Sequence, residues 1–509
     1  MRMKLTDVLA GILGLCLSLS AQTNDRVLQQ LDAQFRRMMS DWECPGMAVA
    51  VVKDDSVIFA KGYGVRELGR PELVDDNTLF AVGSQTKAFT AAALAILVDE
   101  GKLKWDDPVV KYLPQFELSD PELTRRLSIR DCLTHRSGFD PLSAQFLFTD
   151  LSRDEILRRY RFAKPSGVFR ASFDYNNILF LLAGQVIPAV SGMSWDDFVA
   201  ERIFKPLGMK ASNTSITRYA ANANRASAHE IIDGKVRNIP LLNADNYAPA
   251  GSINSNIADM ARWLRMQIGA GLFEKNRVVS APAMNEMHTP QVMVSFPRVF
   301  ADMPFVSTYA IQLAKPLFLT YGLGWFIQEY RGKRLIHHGG DIDGQRSQVG
   351  FMPDLNLGVV VLSNLHPATL AEAVLFTVLD AFLGAGARDW SGELLSAVRA
   401  YRAKTPESGQ RVLAAAASPT PPTVPLERFA GAYDSEAYGP ARVVVKDGVV
   451  ELRLGRLTCS LRHSQGNAFL INTPGILGRL PLTFIVGENG EVAGMRLLGI
   501  TEFKLVDER

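Results

Sequence analysis

Apolar and polar positions change rhythm several times along the chain, and each change predicts an element. Met47–Val52 and Val57–Lys61 are apolar-rich runs joined by Asp54-Asp55, which reads as two strands and a tight turn. From about Ser84 to Glu100 the pattern is apolar on all sides, and Gly101 follows as a C′ residue. A helix with no polar face predicts burial. The middle, about Asp106 to Ala270, reads as helices broken by Pro and Gly. Strand patterns return at Tyr321–Tyr330, Arg334–His338, Gln348–Met352 and Val359–Leu362, and a helix is predicted over about 367–383. Strands at both ends of a helical middle predict an α/β unit, an α+β sandwich. In it an antiparallel sheet is flanked by helices and carries an inserted helical region.

A second unit follows. The stretch 403–425 holds an alanine run and Pro-Thr-Pro-Pro, a linker composition. From 426 to 509 short strands surround Asp447-Gly448 and Asn489-Gly490, two hairpin dipeptides, and predict a small antiparallel β-domain, a lipocalin-like barrel. The predicted organisation is a leader at 1–21, a catalytic unit at 22–402, the linker, and the β-domain at 426–509.

Composition narrows the function classes. A net charge of +2, with no basic stripe, argues against nucleic acid as a partner. At the N-terminus, Arg2 and Lys4 precede an apolar run from Val8 to Leu19 that ends in small residues. That is the pattern of a secretory leader, too short to span a bilayer comfortably, and it predicts a periplasmic or secreted protein with no stable membrane insertion once the leader is gone. Cys44, Cys132 and Cys459 then remain, with no zinc spacing; they read as buried fillers, and one disulfide stays open. The oligomeric state is open too. The stretch at about 280–320, with Met287, Met293, Phe296, Phe300 and Phe305, reads as lining for a cleft or cover for the core, and the pattern favours the core.

Three short patterns carry chemistry. Gly83-Ser84-Gln85-Thr86-Lys87 opens the long apolar helix, and residues three apart share a helix face, so the Lys87 amine can reach the Ser84 hydroxyl. A lysine buried there loses basicity and can accept a proton near neutral pH. In Tyr175-Asn176-Asn177, an extended segment would point Tyr175 and Asn177 the same way. The phenol could then move a proton if nearby cations lowered its pKa. In His337-His338-Gly339-Gly340 the glycines mark a close approach by ligand or backbone. Paired histidines suggest zinc, but no third ligand is near, and no metal or other cofactor is expected. His135, His229, His288, His366 and His463 read as structural.

Ser-x-x-Lys, Tyr-x-Asn and His-x-Gly in this order resemble the penicillin-recognising serine hydrolases, the family of class C β-lactamases, D,D-peptidases, D-aminopeptidases and related esterases. Flanking stretches agree over roughly 28–385, among them Pro45–Val52, Asp106-Asp107-Pro108, Leu133–Gly138, Pro249–Ser252 and Tyr321–Trp325. The resemblance implies that Ser84 is acylated, that Lys87 and Tyr175 share the general-base duty, and that Asn177, His337 and Gly339 contact a small-molecule or peptide substrate. It also implies an oxyanion hole made by the N–H groups of Ser84 and Gly340. Lysine usually stands where His337 is placed, and a neutral histidine suits a substrate carboxylate less well. The expected activity is hydrolysis of amide, peptide or ester bonds. The alternatives are a β-lactamase, or a penicillin-binding protein that acylates without turnover.

Overall fold

The structure, a computed structural model, describes residues 25–139, 149–232, 234–295, 307–366, 368–386, 388–404, 420–472, 479–497 and 501–506. The predicted leader, Phe296, Phe300, Phe305 and most of the predicted linker lie outside the described residues.

The catalytic unit is one antiparallel sheet between two helical layers. Its strands, in chain order, are β1 (Gly46–Lys53), β2 (Ser56–Gly64), β3 (Val292–Met293), β4 (Leu319–Tyr321), β5 (Phe326–Tyr330), β6 (Lys333–Ile342), β7 (Gln345–Met352) and β8 (Leu357–Ser363). Their order across the sheet is β2-β1-β8-β7-β6-β5-β4-β3, so the two ends of the unit meet where β1 pairs with β8. Asp54 and Asp55 close the first hairpin, both at positive φ, which a two-residue type I′ turn requires.

Helices cover both faces, which is why the strands read as continuous apolar runs rather than alternating ones. The layers still separate by parity. Ala48, Ala50 and Val52 face the front with α2 (Thr86–Asp99), α3 (Asn177–Ser191) and the short α4 (Ala248–Gly251). Met47, Val49 and Val51 face the back, against α1 (residues 25–41), α5 (Leu370–Leu383) and α6 (Trp390–Lys404). The same parity sorts β6: Ile336 and Ile342 belong to the front core and Leu335 to the back.

One element departs from expectation. Tyr321–Tyr330 is not a single strand but β4 and β5 joined by Gly322–Trp325. Gly324 turns there at φ +81, and a Cβ on it would lie 3.0 Å from Lys87 O. The turn exists because a glycine lets the sheet edge touch the backbone of α2.

The C-terminal unit is a closed barrel of eight antiparallel strands, β9 (Gly431–Ser435), β10 (Gly439–Lys446), β11 (Val449–Leu454), β12 (Leu457–Gln465), β13 (Ala468–Asn472), β14 (Arg479–Val486), β15 (Val492–Leu497) and β16 (Thr501–Val506). Alternate residues such as Val443, Leu452, Leu454 and Phe484 fill it, and Phe429 stacks on Phe484 at 4.2 Å. Asp447 and Gly448, both at positive φ, close the β10–β11 hairpin. Two guanidinium groups join the units: Arg159 Nη1 donates to Glu436 O (2.8 Å) and Arg456 Nη1 to Asn243 O (2.9 Å). Among the described residues Cys44, Cys132 and Cys459 are free thiols, and no single helix is long and apolar enough to cross a membrane.

Candidate active site

Ser84 sits in a single 3₁₀ turn, Gly83–Gln85, that runs into α2. The segment before it is pinned to the sheet. Ala81 N donates to Gln345 Oε1 (2.7 Å), and Ser347 Oγ donates to Val82 O (2.8 Å). Behind it, Thr90 Oγ1 donates to Pro249 O (2.6 Å) and Trp195 Nε1 to Thr90 Oγ1 (3.0 Å), which fixes α4 against α2.

Lys87 is fully buried one turn after Ser84, as the apolar surroundings of α2 required. Its Nζ has three partners: Ser84 Oγ at 3.0 Å, Asn177 Oδ1 at 2.6 Å and Ala250 O at 2.9 Å. The two carbonyl oxygens can only accept. The hydroxyl can donate. An ammonium donates to all three; a neutral amine donates to the two carbonyl oxygens and accepts from the hydroxyl through its lone pair. Burial pushes the Lys87 pKa well below the ordinary lysine value, which favours the neutral form.

Tyr175 completes the cluster. Its hydroxyl is hydrogen-bonded to Ser84, and its ring lies 4.7 Å from Lys87 Nζ. Burial pushes the phenol pKa up, with the Ser84 hydrogen bond acting the other way. The expectation of a phenol acidified by cations is therefore corrected: burial, with Asp341 adding to it, outweighs the Ser84 hydrogen bond and Arg346. Asn177 is the first residue of α3 rather than part of an extended segment, and Asn176 caps that helix by accepting from the N–H groups of Ile178 and Leu179. Tyr175 and Asn177 still converge on Lys87, from either side of the cap.

His135 holds this loop. Its Nδ1 accepts from Asn176 N–H (3.0 Å), its carbonyl accepts from Asp174 N–H (2.8 Å), and its ring lies 4.3 Å from that of Tyr175. Burial, then the nearby Lys87 and His338, hold its pKa well down, so it works as a neutral acceptor. The only sequence sign of this role was the Leu133–Gly138 stretch. Ala250, which acts through its carbonyl, left no side-chain signal at all.

The paired histidines are separated by the sheet. His338 is on the front face, with its Nε2 3.0 Å from Tyr321 Oη and its ring 6.4 Å from that of Tyr175. His337 is on the back-face parity, between Gln328 and Gln348 at 3.1 and 3.4 Å, with its Cβ close to Gly350. The structure thus places His338, not His337, on the face of Tyr175 and Lys87. Burial lowers the pKa of His338 to about 3, helped by Lys87, and that of His337 to about 4. Gly339 is also turned to the back: a Cβ there would meet Gln348 Oε1 at 2.8 Å, so protein, not substrate, requires the glycine. A Cβ on Gly340 would lie 1.8 Å from Val82 O. The main chain that meets the turn carrying Ser84 belongs to the next residue, since a Cβ on Gly83 would lie 2.7 Å from Asp341 N. Among the described residues no group of three or more His, Cys, Asp or Glu is placed to hold a metal ion.

The chain is similar to several known proteins. The chain is 29% identical over 448 residues to the unguisins hydrolase ungD' of Aspergillus campestris, covering 83% of this chain and 78% of that protein. It is 24% identical over 360 residues to protein flp of Staphylococcus aureus, covering 69% and 66%. The fold is shared with a penicillin-binding protein homologue from Pyrococcus abyssi (TM-score 0.59, 22% identity, 94% of this chain and 99% of that one). It is also shared with a D-stereospecific amidohydrolase from Streptomyces (TM-score 0.55, 23% identity, 70% and 98%). Residues 415–509 match a domain of unknown function, DUF3471. Residues 31–381 match the Beta-lactamase family, and the chain belongs to that family of serine hydrolases.

Proposed function

We propose that the protein hydrolyses amide, peptide or ester bonds through an acyl-enzyme on Ser84. The observation that carries this is a fully buried Lys87 whose Nζ lies 3.0 Å from Ser84 Oγ, in surroundings that favour the neutral amine. Lys87 takes the hydroxyl proton as Ser84 attacks the carbonyl. Tyr175, bonded to Ser84 and too weakly acidic to ionise first, gives its phenol proton to the leaving group and recovers the one Lys87 took, so both end neutral. In the second half-reaction Lys87 and Tyr175 draw a proton from the water that attacks the ester. The oxyanion is held by the N–H groups of Ser84 and Asp341, the latter in place of Gly340. Asn177 fixes Lys87 and faces the substrate amide.

A neutral His338 offers no charge to a substrate carboxylate, which favours neutral amides, peptides and esters over β-lactams. The hydrolase relative at 29% identity supports the bond class. The leader pattern around Arg2, Lys4 and Val8–Leu19 supports export to the periplasm or the outside. Fluorophosphonate labelling tests the core of the reading. Wild type is expected to carry the adduct on Ser84 and Ser84→Ala none; a folded wild type that stays unlabelled removes it. Nitrocefin turnover at ordinary enzymatic rates would instead favour a β-lactamase.

A further inference from the structure

Asp341 presents its main chain to the nucleophile turn and its side chain to the opposite layer. On that back face its Oδ2 accepts from Arg346 Nη1 at 2.6 Å, across the register that pairs the two residues. Arg346 Nη2 donates in turn to Glu372 of α5. His366, in the connection from β8 to α5, sets its Nε2 3.0 Å from Asp341 Oδ1. Arg346, Glu372 and His366 are all buried. The chain Glu372–Arg346–Asp341–His366 holds two carboxylates and one guanidinium, so its charges balance only when the imidazole is protonated.

The groups around His366 come from several elements. Asp341 and Arg346 face it from β6 and β7, Asp343 from the turn between them, and Glu372 through Arg346. Glu230 pairs with it through the main chain, and the His229 carbonyl accepts its N–H. Burial opposes the ring proton, yet the Asp341 carboxylate outweighs it and the pKa of His366 is raised. Breaking one member of a buried ionic chain leaves another charge uncompensated, so this set has one favoured arrangement.

We propose that His366 and the Asp341 carboxylate are positioning residues for acyl transfer, holding the Asp341 amide at the oxyanion site from behind the sheet. Loss of the ring or of its proton then slows the acylation step without weakening the binding that precedes it. The proposal rests on Ser84 being the nucleophile.

The test uses the full chain and a fluorophosphonate, whose P=O occupies the oxyanion site. The maximal labelling rate and the half-saturating probe concentration are measured from about pH 5 to about pH 10 for wild type, His366→Ala and His366→Gln. In wild type the rate is expected to rise as Lys87 loses its proton, then to fall as His366 does. His366→Ala is expected to lower the maximal rate by about 10-fold or more, with half-saturation nearly unchanged, since outright loss of an oxyanion donor costs on the order of 100-fold. Glutamine keeps an N–H for Asp341 but does not titrate, so it is expected to restore most of the rate and abolish the alkaline fall. The idea is overturned by a folded His366→Ala that labels at the wild-type rate, or by a loss confined to half-saturation. A His366→Gln profile that keeps the alkaline fall also overturns it, and decides the matter if the alanine variant does not fold. An unlabelled wild type would remove the hydrolase reading itself, whereas normal wild-type labelling with indifferent variants removes this proposal alone.

Discussion

Lys87 Nζ lies 2.6 Å from Asn177 Oδ1, and the two residues open different helices, α2 and α3. The amide therefore fixes the amine across the helix–helix interface and uses one of its two N–H bonds. In the neutral amine, with the other N–H on Ala250 O, what is left for Ser84 is the lone pair.

Replacing Lys87 with methionine keeps the volume and removes the base. Labelling of Ser84 is expected to fall at least ~100-fold, within the range for losing a general base. In the wild type the rate is expected to drop as pH falls through the depressed Lys87 pKa, because protonation fills the lone pair. A rate that stays flat down the acidic side would contradict a neutral resting amine.

The two adjacent histidines give a direct contrast. His338→Ala is expected to lower kcat/KM by more than 10-fold, on the scale of losing a positioned polar group in a site. His337→Ala is expected to leave kcat/KM within a few-fold and to act on thermal stability. His338→Lys is expected to shift preference toward substrates bearing a carboxylate, measured on paired amide and acid substrates. The reverse ranking of positions 337 and 338 would reject the assignment.

Two glycines are fixed by contact. Gly324→Ala places a methyl 3.0 Å from Lys87 O at φ +81, with an expected cost of about 1–3 kcal/mol. Gly340→Ala brings a methyl into Val82 O and displaces the nucleophile turn. The first is expected to lower Tm, while the second is expected to abolish labelling in any protein that still folds.

Asp131 gives a pH-dependent stability. Its buried carboxylate accepts from Arg136 Nε (2.6 Å) and Arg170 Nη2 (2.8 Å) and caps a helix at Ser128. Burial would raise its pKa, but Arg170, Ser128 and Arg136 outweigh it and hold the carboxyl below its ordinary value. A depressed carboxyl contributes stability above the unfolded pKa of about 4, and that stability is lost as pH falls through the folded value. Asp131→Asn is expected to cost on the order of 3 kcal/mol at neutral pH and to flatten this acid limb in urea titrations.

Much of this was legible in the chain. Ser84 and Lys87 could be read because helix spacing and an apolar helix dictate both their contact and the dryness of the amine. The barrel could be read from its hairpin dipeptides. The choice between His337 and His338 could not, since a strand buried on both faces shows no alternation to say which parity meets the nucleophile. The same blindness hides which main chain, that of Gly340 or of Asp341, lies against Gly83. The sequence reads His366 as structural, and its pairing with Asp341, 25 positions away, shows only in the fold. Ala250 acts through a main-chain oxygen, and side-chain patterns carry no trace of it.

Burying Lys87 ties the chemistry to folding itself. Below the ordinary lysine pKa the unfolded chain carries an ammonium there, whereas the native chain holds an amine, so between the two values collapse expels a proton into solvent. Acidification of the medium must therefore pull this residue toward the denatured ensemble. The catalyst is charged with its basicity when the core closes, long before any substrate arrives.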